Sequence, residues 1–276
     1  MMNNHATWPP ALGLALLATS LLAMCSTARA ADAAPDPALK GYEEESIKAT
    51  IGGRADETVK FLLLKPAKME SGKKYPVILF LHGAGERGNN NRAQLRHFPE
   101  KMSEPARRER YEAFVIAPQC PAGKRWVEVH WGAGKSTPQA EPTGAMQGAM
   151  AALQHVLKTE PADAARVYLI GLSMGGFGSW DLATRHPDWF AAVAPICGGG
   201  DERQAAALKD VPVWAFHGDK DTVVPVARTR SMIEAIRRAG GNPKYSELAG
   251  VGHDSWTPAC DEQSGLLTWM FEQKRK

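Results

Sequence analysis

Residues 166–186 read RVYLIGLSMGGFGSWDLATRH. The segment joins an apolar, β-prone run to the pentapeptide Gly171-Leu172-Ser173-Met174-Gly175 and then to an amphipathic stretch that ends before Pro187. A strand, Gly-x-Ser-x-Gly and a helix in this order are typical of a sharp turn that exposes a serine hydroxyl at a helix N-terminus. Ser173 is therefore a candidate nucleophile. A glycine-rich turn in which the serine only caps the helix is the alternative at this point.

The rest of the chain alternates buried strands with amphipathic helices. Apolar or alternating runs predict eight strands, at residues 45–51, 58–65, 76–81, 113–117, 167–170, 190–196, 211–216 and 244–248. Helical patterns cover residues 91–102, 143–159, 175–186 and 225–239. Such alternation predicts an α/β fold with a mostly parallel central sheet, helices on both faces, and the first two strands as an antiparallel edge.

Composition is that of an ordinary globular protein. The 276 residues are 44% hydrophobic and 23% charged, with a formal net charge of +3. This charge is too small to indicate a nucleic-acid partner, and the basic cluster at residues 107–110 is interpreted as a solvated helix face. Since no second composition regime or repeat is found, residues 45–276 are predicted to form one domain.

The N-terminal segment has the pattern of an export signal. An apolar run from Ala11 to Met24 is followed by Ala28-Arg29-Ala30, an A-x-A cleavage pattern. We therefore expect a signal peptide at residues 1–30, a flexible leader at 31–44, and a periplasmic or secreted protein with no membrane attachment after cleavage. A lipid anchor on Cys25 is the alternative, although Met24 is a poor residue before a lipidation site.

Cleavage there leaves three cysteines, which are Cys120, Cys197 and Cys260. They allow at most one internal disulfide, and which pair would form it stays open. Their spacing does not match a zinc site, so no metal is expected.

Two later strand ends supply the groups that a serine nucleophile needs. The run HGDKDTVVP at residues 217–225 offers Asp219 or Asp221 as an acid, and the glycine-flanked loop 250–256 offers His253 as a base. A serine, an acid and a histidine in this chain order are typical of a hydrolytic triad. Spacing alone hardly separates Asp219 from Asp221, because Asp219 can be the acid and Asp221 a cap for the helix that follows.

A further glycine-rich strand end supplies a candidate oxyanion hole. Residues 81–88 read LHGAGERG, and the sheet order predicted above puts them beside the strand of Ser173. The backbone N–H groups of Ala84 and Met174 are the candidate donors. The same run matches G-x-G-x-x-G, but the acid that a dinucleotide site needs about 20 residues later is missing.

These motifs together resemble the α/β-hydrolase superfamily. HGAGE at 82–86, GLSMGG at 171–176, HGDKDTVVP at 217–225 and GH at 252–253 are most similar to dienelactone hydrolase, phospholipase/carboxylesterase and polyhydroxybutyrate-depolymerase-like esterases, including secreted predicted peptidases. The resemblance covers about residues 45–272. It implies the α/β-hydrolase fold, Asp221 as the acid, and Ala84 and Met174 as oxyanion donors. Dienelactone hydrolases proper carry a cysteine nucleophile, so a serine here favours ordinary ester hydrolysis.

The predicted function is that of a serine carboxylesterase that forms an acyl-enzyme and needs no cofactor. Short-acyl, carbohydrate-linked or polymer esters are the expected substrates, with Trp131, Trp256 and Gln119 as candidate contacts and residues 123–142 as the candidate cap. Tryptophans on loops are equally often packing anchors. A serine peptidase and a non-catalytic binding protein of the same fold are the alternatives, and the oligomeric state stays open.

Overall fold

The computed structural model describes residues 37–275 of the chain. The predicted signal peptide, Cys25 and the first part of the predicted leader lie outside these residues. Among the helices of the described part, none combines the length and the apolar character required to cross a bilayer.

An eight-stranded sheet forms the centre of the molecule. Its strands are β1 (Glu43–Ile51), β2 (Arg54–Leu64), β3 (Tyr75–Leu81), β4 (Phe114–Pro118), β5 (Ala162–Leu172), β6 (Ala192–Ile196), β7 (Trp214–Gly218) and β8 (Lys244–Leu248). Their order across the sheet is β1-β2-β4-β3-β5-β6-β7-β8. The pairs β1/β2 and β2/β4 are antiparallel and all other pairs are parallel, as predicted for a sheet with an antiparallel edge.

Seven α-helices accompany the sheet in the described part of the chain. They are α1 (Phe98–Met102), α2 (Pro105–Arg110), α3 (Gly144–Thr159), α4 (Met174–Arg185), α5 (Ala227–Arg238), α6 (Trp256–Ala259) and α7 (Leu266–Glu272). Alternate side chains of β3 belong to two separate apolar clusters, because successive residues of a strand point to opposite faces. The sheet is therefore covered on both faces, which explains why β3 and β4 read as continuous apolar runs.

Parallel pairing brings the chemically interesting strand ends together. β3 lies directly beside β5, with Leu81 paired to Gly171, so the loop after β3 and the turn after β5 meet at one edge of the sheet. β6, β7 and β8 follow on the other side of β5 and end at the same edge. Residues that follow these five strands therefore lie along one edge of the sheet, as the candidate site requires.

Several predicted boundaries are wrong for local reasons. The first strand begins at Glu43 rather than 45, and Tyr42, in the predicted flexible leader, is buried with its hydroxyl donating to the carbonyl of Pro99. The predicted helix 91–102 is a 3-10 turn followed by α1, because His97 has a positive φ of 64° that no α-helix accepts.

The structure also shows the environment of the basic cluster at 107–110 and of the cysteines. The basic cluster at 107–110 does lie on a helix, but Arg107 points inward and donates to the carbonyl of Cys260 at 3.0 Å. The three cysteines of the described chain, Cys120, Cys197 and Cys260, are all buried free thiols.

Candidate active site

The turn that carries Ser173 is strained and tightly packed. Ser173 follows β5 and precedes α4 with φ 53° and ψ −115°, a conformation that costs energy for a residue with a side chain. A Cβ added to Gly171 would stand 2.2 Å from the carbonyl oxygen of Gly175, and one added to Gly175 would stand 1.8 Å from that of Leu81. The glycines two residues before and after the serine are thus required by close backbone contacts.

Three side chains from three strand ends form one hydrogen-bonded line. Ser173 Oγ lies 2.9 Å from His253 Nε2, and His253 Nδ1 lies 2.7 Å from Asp221 Oδ2. Both distances are within the range for a hydrogen bond to a hydroxyl or carboxylate. The structure therefore brings together Ser173, Asp221 and His253, which the sequence placed 48 and 32 residues apart.

Asp221 is held in a fully buried pocket of N–H donors. Its Oδ1 accepts the backbone N–H groups of Val223 and Val224 at 2.8 and 2.9 Å. Burial alone would raise the pKa of Asp221, but hydrogen bonds from His217 and His253 hold it well below its usual range. The carboxylate is thus charged at neutral pH, and it orients the His253 ring.

The rival acid, Asp219, lies in a different environment. Its Oδ1 accepts the N–H of Gly250 at 2.7 Å, which braces the loop that carries His253. It makes no hydrogen bond to a histidine within the described residues. Of the two candidate acids, Asp221 is therefore the one that lies within hydrogen-bond distance of His253.

The loop after β3 is fixed by a buried histidine. Burial lowers the pKa of His82 to about 4, so the ring is neutral at pH 7. Its Nε2 accepts the N–H of Cys120 at 2.9 Å, and its Nδ1 donates to the carbonyl of Gly83 at 2.6 Å. Trp126 packs against the ring at 5.1 Å and donates to the carbonyl of His82, which makes it a packing anchor rather than a wall of the site.

The two candidate oxyanion donors begin helices. Ala84 is the first residue of a 3-10 turn, Ala84–Glu86, and Met174 is the first residue of α4. N–H groups at such positions have no acceptor within their own helix and favour negative charge nearby. The β3/β5 pairing places the two turns side by side.

The predicted substrate contacts differ in their surroundings. Trp256 packs edge-on against His253, with ring centroids 5.4 Å apart, and is therefore part of the site. Trp131 lies under the guanidinium groups of Arg87 and Arg125, at 5.9 and 4.7 Å from its ring. The amide of Gln119 is engaged within the protein, since it donates to the carbonyl of Glu86 and accepts from the N–H of Asn91.

The candidate cap is bound to the body of the domain. Arg185 donates to the carbonyls of Gln139 and Ala140 at 2.6 and 2.5 Å, and Arg228 donates to Ser136. Asp181 in turn pairs with Arg185 at 2.8 Å. Residues 136–140 are thus anchored to α4 and α5 by two arginines.

Three further residues lie near Ser173, His253 and Asp221, and the sequence did not identify any of them as site residues. Cys197, with φ 40°, follows β6, and its Sγ lies within 4.8 Å of ligand atoms of both Asp221 and His253. Although three such groups can bind a metal, burial raises the pKa of Cys197 and disfavours the thiolate that a metal requires. Ser255 accepts the N–H of Gly218, and His217 lies behind Asp221.

Comparison with known proteins finds similarity to a hydrolase family and to esterases. Residues 132–259 match the family model described as the dienelactone hydrolase family. A solved structure titled as a thermostable esterase superposes with a TM-score of 0.77 at 31% identity, covering 87% of this chain and 64% of that one. The chain therefore has the α/β-hydrolase fold.

Curated relatives of this α/β-hydrolase match over shorter regions. NocK, a candidate esterase of Nocardia uniformis subsp. tsuyamanensis, is 32% identical over 37% of this chain and 36% of its own length. A bifunctional acetylxylan esterase/xylanase of Neocallimastix patriciarum is 26% identical over 59% of this chain and 22% of its own length. The chain thus spans well under half of either protein.

Peptidases share the fold at lower identity. An acylaminoacyl peptidase of Pyrococcus horikoshii superposes with a TM-score of 0.61 at 15% identity, covering 86% of this chain and 42% of that one. A likeness at this level shows the fold alone.

Proposed function

We propose that this α/β-hydrolase is a serine carboxylesterase with Ser173 as nucleophile, His253 as general base and Asp221 as the acid that orients it. The observation that carries the proposal is the hydrogen-bonded line from Ser173 Oγ through His253 to Asp221, at 2.9 and 2.7 Å. An intact line of this kind also argues against a non-catalytic binding protein.

Acylation begins at the Ser173 hydroxyl. His253 Nε2 removes the proton from Oγ as the oxygen attacks the ester carbonyl, and Asp221 stabilises the imidazolium that forms. His253 then gives the proton to the leaving alcohol. Because Asp221 fixes Nδ1 as the protonated nitrogen, Nε2 is free to accept at the start of each cycle.

The oxyanion is proposed to lie between two helix starts. The N–H groups of Ala84 and Met174 would donate to it, and one such donor is typically worth about 3–4 kcal/mol of transition-state stabilisation. Arg87 supports this arrangement, because its Nε donates to the carbonyl of Ala84 at 2.8 Å and fixes the loop. Water activated by His253 then hydrolyses the acyl-enzyme by the reverse sequence of proton transfers.

Short-acyl, carbohydrate-linked or polymer esters are the proposed substrates. Trp256 supplies an aromatic wall beside His253, and residues 139–140 of the candidate cap are held to α4 by Arg185. The likeness to a bifunctional acetylxylan esterase/xylanase supports a carbohydrate-linked ester. Trp131 and Gln119 are proposed as outlying contacts. Export to the periplasm or medium is proposed from the N-terminal sequence pattern.

Hydrolysis by the purified chain starting at Ala31 tests the function. We expect turnover of p-nitrophenyl esters that falls from acetate to octanoate, turnover of methyl ferulate, and loss of all of it in Ser173→Ala. A p-nitroanilide peptide serves as the amide substrate. Amide turnover without ester turnover would replace the proposal with a peptidase, and full ester turnover by the alanine variant would overturn the nucleophile.

A further inference from the structure

A second histidine contacts the proposed triad and takes no part in the mechanism above. His217 lies in β7 and is fully buried. Its Nε2 is 3.1 Å from Asp221 Oδ2, the same oxygen that accepts from His253 Nδ1 at 2.7 Å. One carboxylate oxygen is therefore shared by two imidazole rings.

The direction of the second hydrogen bond follows from its neighbours. His217 Nε2 also lies 3.0 Å from the carbonyl oxygen of Val224, and both oxygens near this nitrogen are acceptors. Nε2 therefore carries a proton and donates. The opposite nitrogen, Nδ1, lies 2.7 Å from Thr229 Oγ1, whose hydroxyl also lies 2.8 Å from the carbonyl of Gly198. The ring is thus held along both of its edges.

We propose that His217 is a positioning residue that sets the lower pH limit of activity. The inference rests on the proposed function, because it concerns the base that activates Ser173. A carboxylate oxygen that already accepts an N–H from His217 carries less negative charge toward His253. The imidazolium of His253 is then stabilised less, so the neutral base needed for attack persists to lower pH.

Other titratable groups around this pair come from each neighbouring element. Cys197 follows β6, and burial raises the pKa of its thiol, which is neutral near pH 7. Glu247 lies opposite His217 in the β7/β8 register but is paired with Arg230. Asp254, beyond His253, accepts from Thr257. Among the described residues, Asp221 is the charged group within hydrogen-bond distance of His217.

Two amide substitutions distinguish the contact that His217 makes with Asp221 from the contact that it makes with Thr229. The amide of His217→Gln reaches the position of Nε2 and can still donate to Asp221. The amide of His217→Asn ends near the position of Nδ1, so it keeps the contact with Thr229 and loses the one with Asp221. The measurement is kcat/KM for p-nitrophenyl acetate from pH 5 to pH 9.

We expect the acidic limb of the kcat/KM profile to shift in His217→Asn and not in His217→Gln. For His217→Asn the acidic limb moves upward by about half a pH unit to one unit, with the alkaline plateau retained, since hydrogen bonds to charged groups are strong and part of the effect is transmitted to His253. For His217→Gln the limb stays at its wild-type position. A limb that stays in place in both variants, or equal loss at every pH in both, would overturn the proposal.

A second variant covers the case in which His217→Asn does not fold. Thr229→Val removes the hydroxyl that holds Nδ1 and leaves His217 in place, so a smaller upward shift of the same limb is expected. No shift in that variant would count against the proposal. Failure here is distinct from failure of the proposed function, because every arm requires ester turnover that depends on Ser173.

Discussion

Replacing Asp221 with asparagine should disable the base while leaving the fold in place. The four N–H donors around the carboxylate fix how the new amide must lie. Val223 and Val224 donate from the backbone to Oδ1 and cannot change, so the amide oxygen stays there. The amide NH2 then takes the place of Oδ2 and faces His217 and His253.

The magnitude follows from this orientation. Facing an NH2 group, His253 must present an unprotonated Nδ1, which moves its proton to Nε2 and points a donor at Ser173 Oγ. The ring can no longer accept the hydroxyl proton. Loss of the correct tautomer in a serine triad costs about four orders of magnitude in turnover, which is about 5.5 kcal/mol in activation free energy.

The assay is kcat/KM for p-nitrophenyl acetate at pH 8, with thermal unfolding as the check on folding. Asp219→Asn is the matched control, because the backbone N–H of Gly250 that Asp219 accepts can also be accepted by an amide oxygen, and its other contact is a distant, exposed pair with Lys220. We expect this control to keep at least about a third of wild-type activity. A large loss in Asp219→Asn together with retention of more than a tenth in Asp221→Asn would refute the assignment of the acid.

Three further outcomes are expected. Gly175→Ala should lose more than about 3 kcal/mol of unfolding free energy or fail to fold, because its Cβ would stand 1.8 Å from the carbonyl oxygen of Leu81. The control is Gly85→Ala, which has open space around the added Cβ and should change the melting temperature little. Trp256→Ala should lower kcat about tenfold by freeing the His253 ring, while Trp256→Phe should stay within about twofold; equal losses would argue against edge-on support. The hydrogen bond from Arg230 lowers the pKa of Glu247 to about 2, so its stabilisation is present above about pH 4.3 and is lost as the pH falls toward 2. Urea unfolding of Glu247→Gln should accordingly show a deficit of under about 1 kcal/mol at pH 7 that shrinks by pH 3, and a deficit that grows toward acid would contradict the sign.

The strands were predictable because most of them are buried on both faces. Continuous apolar runs identified β3, β4 and β6 within two residues at each end. β5 begins five residues before its predicted start, because residues 162–166 are three alanines, an aspartate and an arginine, which are poor strand formers, and four of the five are less buried than those that follow. Apolar runs in the sequence indicate buried strand segments, so strand ends that reach solvent are not predicted from them.

Residues of the candidate site were predictable only where a side chain suited to catalysis follows a predicted strand. The motifs supply Ser173, His253 and two possible acids, and the family resemblance implies Asp221. The contact between Asp221 and His253 is seen only in the hydrogen-bond geometry. His217 and Cys197 were not identified as site residues, since a buried histidine and a small apolar residue are ordinary in a core. Cys197 lies near the acid because the ends of β6 and β7 converge, and His217 does so because the turn after β7 brings Asp221 back to that strand.

Covalent labelling is the most direct test of Ser173 as the nucleophile. The purified chain is treated with diisopropyl fluorophosphate, and the modified peptide is located by mass spectrometry. We expect one adduct, on Ser173 Oγ, formed in step with loss of esterase activity and absent from His253→Ala, whose serine has no base. An adduct on another residue, such as Ser255, or full esterase activity after Ser173 is labelled, would show that Ser173 is not the nucleophile.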